Sequence, residues 1–176
     1  MLKSLIVAVV AFAAFSTIDA QNEAAPPPTD AQIAMIAVTA NSVDIDVAKM
    51  AKQKTSNKAV KEFADTMVRD HTAVNTKATA LVKKLGVTPE ESDTSRSLRS
   101  DGDKKMAELK SLIGAEFDKA YVDNEVSYHE AVMGVLDKTL IPNTKNAELK
   151  SLLESARPIF VSHLEHAKKL QASLSK

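Results

Sequence analysis

Residues 58–85 read KAVKEFADTMVRDHTAVNTKATALVKKL and are followed by Gly86. Val60, Phe63, Met67, Val74, Leu81 and Leu85 recur there at the three- and four-residue spacing that lines one face of an α-helix, with charged residues between them. Thr55-Ser56-Asn57 makes a turn and a cap before this helix, and Gly86 with Pro89 stops it. A helix of about eight turns cannot bury its own stripe, so the rest of the chain must supply partners.

The preceding segment supplies the first. Ile33, Ile36, Ala40, Val43, Val47 and Met50 keep the same spacing, Thr29 or Asp30 can cap their helix, and it should end near Lys54. The turn at residues 55–57 then folds these two helices into an antiparallel hairpin. After the break at Gly114, a helix over about 115–140 carries Phe117, Tyr121, Val132 and Leu136, and Ile141-Pro142-Asn143 is predicted to end it. A last helix over about 145–173 carries Leu149, Leu152, Ala156, Phe160, Ala167 and Leu170, with a kink predicted at Pro158. Residues 86–113, between the hairpins, hold a polar segment from Glu90 to Asp103 and a short amphipathic piece with Met106, Leu109, Leu112 and Ile113. That span is long enough to run the length of the helices. Two antiparallel hairpins joined by a long crossover containing a short helix define a ferritin-like four-helix bundle, so the expected fold is all-α, with residues 30–174 as the bundle. Only 4 Gly, no Trp and abundant Ala, Lys, Leu and Glu agree with helix over sheet.

The first twenty residues have a different character. Lys3 gives a positive start, Leu5 to Phe15 is a run of 11 apolar residues, and Ile18-Asp19-Ala20 ends in a small residue. Residues 1–20 therefore read as a secretory signal peptide, which predicts an exported protein: periplasmic, extracellular or envelope-associated. The run is too short to span a membrane, and no later segment approaches the ~20 apolar residues required, so no transmembrane segment is expected in the mature chain. Ala20 is not followed by Cys and the chain has none, which excludes a lipid-anchored cysteine and structural disulfides. Residues 21–29, with Pro26-Pro27-Pro28, read as a Pro-rich linker. The remaining length suits one domain with one core. With 23 charges of each sign interleaved along the chain, no basic stripe exists and nucleic acid is not an expected partner.

Polar residues interrupt the apolar faces at defined places. Asp44 is four residues after Ala40 and three before Val47; His71 is four after Met67 and three before Val74. Glu125 and His129 follow Tyr121 at four-residue steps, on the side shared with Asp118, and His163 lies three after Phe160. Counted from one end of the bundle, these five fall within seven residues of one another, roughly 10 Å at the helical rise. An up-down bundle gives nearly the same heights, so the loop lengths and not the heights select the crossover. Three imidazoles with two carboxylates make a candidate metal site for Zn, Fe or Cu, and the Met67 thioether one turn from His71 favours copper. Asp70 is placed to orient His71 or to face solvent, and His166 reads as a flanking residue. The Glu-x-x-His pairs of di-iron bundles are absent, which argues against ferroxidase or mineral-storage chemistry. The alternative is a buried hydrogen-bond network that fixes helix register in a non-enzymatic envelope or stress-associated bundle. No Gly-rich phosphate loop and no nucleophile motif such as G-x-S-x-G occurs, so the sequence favours binding or structure over catalysis.

Three motifs carry a resemblance. Phe63-Ala64-x-x-Met67-Val68-x-Asp70-His71, then Phe117-Asp118-x-x-Tyr121 with His129 eight residues on, then His163-Leu164-x-x-Ala167 resemble an exported bacterial family catalogued as domain of unknown function four-one-four-two. The likeness spans about residues 30–170. It implies a ferritin-like bundle, export, and a role for Asp70, His71, Asp118, Tyr121, His129 and His163, but no reaction. Asp44 departs from the longer Glu expected in that family, leaving its carboxylate one methylene shorter.

Overall fold

A computed structural model of the chain describes residues 26–175; the expected signal peptide and residues 21–25 of the linker lie outside the described residues. The described chain is all-helical, with no strand among those residues. Its five main helices are α1 (Asp30–Lys54), α2 (Lys58–Leu85), α3 (Asp93–Ser111), α4 (Gly114–Val135) and α5 (Ala147–Leu174). None of them is long and apolar enough to cross a membrane.

Local chemistry sets the helix ends. Thr29 caps α1 in a capping box with Gln32, Asn57 caps α2, and Asn146 caps α5, each side-chain oxygen accepting from backbone N–H groups of the first turn. Gly86 ends α2 at φ 63°, a left-handed conformation that a side chain would strain. Asp30, instead of capping its own helix, accepts from the backbone N–H groups of Lys145 and Asn146 at 2.8 Å each, and so ties the start of α1 to the start of α5.

The core forms two apolar layers. One joins Ile33, Val82, Leu140, Leu149 and Leu153; the other joins Val47, Phe63, Phe117, Tyr121 and Leu170. The first layer therefore gathers the starts of α1 and α5, the end of α2 and the turn that continues α4. Helices α2 and α4 run parallel, and α1 and α5 run against them. Side by side, α1 packs on α2, α2 on α5, α5 on α4, and α4 on α1. Helix α3 carries the chain from the first layer, where Leu98 packs, to the second, where Leu109 is fully buried.

Several expectations are corrected. The polar stretch from Glu90 to Asp103 is helical from Asp93, because Ser92 and Ser95 cap it reciprocally, so the crossover helix has 19 residues and is not a short piece. Only Ser95 and Leu109 of that helix are buried, which is why its sequence shows so weak a stripe. Toward the helix ends the buried positions are Val82 and Leu153, with Leu81, Leu85 and Leu152 only half-buried; a fixed three-four count drifts against the 3.6-residue turn. Ile141-Pro142-Asn143 ends the helical run as expected, Thr144 being extended, but it does so as the last turn and not as a break after Leu140. The chain passes through a π turn at Leu136–Leu140, where the Ile141 N–H donates to the Leu136 carbonyl, and one further turn at Ile141–Asn143. Pro158 lies inside α5, where the sequence places it. Both Pro158 and Glu154, whose carbonyl loses its partner there, are exposed, so water can satisfy that group.

Candidate metal centre

A polar layer lies between the two apolar ones. Helix α1 contributes Asp44, α2 contributes His71, α4 contributes Glu125 and His129, and α5 contributes His163; each is 1–3% exposed. One ring nitrogen of each of His71, His129 and His163 lies within 4.8 Å of the other two, and Asp44, Glu125 and His129 form a second group of the same tightness. All five sequence-predicted residues are thus brought together. The imidazole centroids stand 5.1–5.5 Å apart, and the His71 ring stacks on Phe160 at 5.1 Å.

The outer nitrogen of every ring is held by an acceptor. Asn41 donates its amide N–H to the Ala37 carbonyl at 2.7 Å, which turns its Oδ1 toward His71; the His71 Nδ1–H donates to that oxygen at 2.8 Å. His129 Nδ1–H donates to the Glu125 backbone carbonyl at 2.9 Å. His163 Nε2–H donates to the Asp70 carboxylate at 3.0 Å, and Asp70 is itself gripped by Arg69 through two hydrogen bonds. Each acceptor can only accept, so each tautomer is fixed and each inner nitrogen carries a lone pair. Those inner atoms, His71 Nε2, His129 Nε2 and His163 Nδ1, are buried without a hydrogen-bond partner among the described residues, as are both Asp44 oxygens and Glu125 Oε2. Asp44 Oδ2 stands 3.5 Å from His71 Nε2 and 3.8 Å from His129 Nε2.

Burial sets the electrostatics. Desolvation pushes the Asp44 carboxyl up to about 8, and desolvation with the charge of Asp44 raises Glu125 well above the carboxylate range. Desolvation, with the other imidazoles second, holds His71 well below the usual histidine value; desolvation also brings His129 down to about 4 and lowers His163. Asp70 moves the other way, because the Arg69 guanidinium bonds to it and keeps it ionised. The layer therefore presents neutral imidazoles, the form in which histidine binds metal.

Other anticipated residues fall around this layer. Asp70 orients His163 and makes no bond to His71. Met67 is fully buried in the apolar layer with Phe63 and Tyr121. Asp118 and Tyr121 are buried, with Oδ1 and the hydroxyl unpartnered among the described residues, and His166 meets the Phe63 ring edge-on at 5.0 Å. Sequence reasoning missed Asn41 and Tyr128, whose hydroxyl donates to the Ala40 carbonyl at 2.8 Å. Asn41 had a signal: it lies three residues before Asp44, on the same face of α1.

Compared with known proteins, the chain matches over residues 16–170 the family described as Domain of unknown function (DUF4142), and it belongs to that family. No curated protein and no solved structure matches it.

Proposed function

We propose that this member of the family is an exported, ferritin-like four-helix bundle that holds one transition-metal ion at mid-height. His71 Nε2, His129 Nε2, His163 Nδ1 and a carboxylate oxygen of Asp44 are the ligands, with Glu125 as the second carboxylate beside them. The observation that carries this reading is the fixed set of tautomers: three outer nitrogens donate to rigid acceptors and leave three buried lone pairs, two of them within 3.8 Å of Asp44. Metal-bound histidines are ordinarily braced in this way through the nitrogen that faces away from the ion.

Distances support it. Two donors ~2.1 Å from one ion at the tetrahedral angle are ~3.4 Å apart, close to the 3.5 and 3.8 Å from Asp44 to His71 and His129. Three nitrogens and one oxygen suit Zn²⁺, Fe²⁺ or Cu²⁺. The placement of Met67 among apolar side chains removes the argument for copper over the other two. Asp44 and Glu125 can share a proton between themselves, but a network that served only to set helix register would also supply donors to His71 Nε2, His129 Nε2 and His163 Nδ1, which have none among the described residues. The ferritin-like connectivity is supported by the ends that share each apolar layer, with α2 and α4 parallel and α3 spanning between them. Export rests on residues 1–20 and is tested by N-terminal sequencing of the secreted protein, which should begin at Gln21.

The metal reading is tested by thermal unfolding with and without Zn²⁺, Fe²⁺ and Cu²⁺. At least one ion should raise the melting temperature of the wild-type protein and leave His71→Ala unmoved; no shift with any of the three contradicts it.

A further inference from the structure

Between the polar layer and the apolar layer around Leu149, the four long helices leave a cavity of about 40 Å³. Alanines make the space: Ala40 of α1, Ala78 of α2 and Ala156 of α5 are all buried on its wall, and a side chain no longer than a methyl group leaves it open. Val74, Leu136 and Phe160 line it further, and the rings of His71 and His129 belong to its wall at the polar layer. Phe160 stacks on His71 there. Ala40, Tyr128, Val132 and Leu140 also line the larger cleft of about 580 Å³ between α3 and α4, so a partition of side chains separates the cavity from an open surface. Tyr128 and Val132 in that partition are only half-buried.

We infer that this cavity is a binding site for one apolar diatomic gas molecule, dioxygen, held against the imidazoles of the mid-height site. Size and surface choose the occupant. One water needs ~10–15 Å³, so a small molecule fits, whereas benzene occupies a cavity of ~150 Å³. Water needs two or more polar partners, and the wall is almost wholly carbon. The polar groups beside it are already engaged: Asn41 bonds to the Ala37 carbonyl and to His71, and the Tyr128 hydroxyl donates to the Ala40 carbonyl. An ion would find no Asp, Glu, Lys or Arg on the wall to balance its charge. An uncharged diatomic gas meets all three conditions. Among such gases dioxygen is the one that iron and copper sites take, so the choice of gas, though not the cavity, rests on the metal reading above.

The probe is dioxygen itself, applied under pressure to the purified protein with and without Zn²⁺, which is diamagnetic, with zinc content measured on the same samples. Paramagnetic dioxygen speeds the NMR relaxation of the methyl protons it touches. Methyl groups of Val74 and Leu136, on the cavity wall, should gain at least fivefold more relaxation than those of Val60 and Leu170, which are as deeply buried in the other apolar layer. Ala78→Val and Ala156→Val narrow the cavity from two different helices, and each variant that keeps its helical circular dichroism should lose that difference. Equal relaxation of the two layers in the wild type, or a difference that survives in a folded valine variant, overturns the inference. Zinc content is scored separately. Relaxation confined to the cavity of a protein that takes up no zinc refutes the metal reading alone, and bound zinc without that relaxation refutes the gas site alone.

Discussion

The apolar layers and the polar layer between them are built from the same four helices, yet they are completed differently. In the apolar layer around Phe63, rings and methyl groups fill the space between helices: Phe63 meets Tyr121 edge-on at 6.2 Å, and Val60, Ala64 and Ala167 are wholly buried beside them. In the polar layer, six buried oxygen and nitrogen atoms of five side chains have no partner among the described residues. Each such atom costs ~1–3 kcal/mol if left unmet. The contrast teaches that the apolar layers are complete in themselves, while the middle leaves polar atoms that the proposed metal ion would satisfy.

The largest expected effect breaks the apolar side of the comparison. Phe63→Ala should destabilise the protein by ~3–5 kcal/mol in urea unfolding, whether or not metal is present. Next comes the ion: at a thousandfold excess over its Kd it should stabilise the wild type by ~4 kcal/mol, and His129→Ala should lose that gain. In the metal-free protein, joint replacement of His71, His129 and His163 by Leu should leave the fold intact, because it removes orphaned groups without opening a cavity. A smaller effect separates ligands from the residues that brace them. Asn41→Leu and Asp70→Ala should each weaken metal binding by ~10- to 100-fold in a competition titration, with stoichiometry unchanged.

The smallest effect is with pH. Asp44, raised to about 8 by burial, must lose its proton to become a ligand, so apparent affinity should climb about tenfold per pH unit between pH 6.5 and 8 and level off above. The imidazoles, lowered by the same burial, are already neutral there and add no slope. An affinity that is flat over that range would show that Asp44 is not a ligand.

Much of this was legible in the sequence because helices repeat. A charged or imidazole side chain on an apolar stripe is visible from spacing alone, and that spacing located Asp44, His71, Glu125, His129 and His163. What the residues touch was not legible. Asp70 immediately precedes His71 in the chain but serves His163, 93 residues away, and Asn41 is fixed on His71 only because α1 and α2 pack face to face. The length of the crossover helix escaped notice for the same reason: with only Ser95 and Leu109 buried, its sequence has little apolar stripe to read.

The most direct test is the metal content of the protein purified from its native host without chelators, measured by elemental mass spectrometry alongside a variant in which His71, His129 and His163 are all alanine. One zinc, iron or copper ion per chain in the wild type and none in the folded variant is the predicted result. Wild-type protein free of all three metals, or equal metal in the variant, would contradict the account.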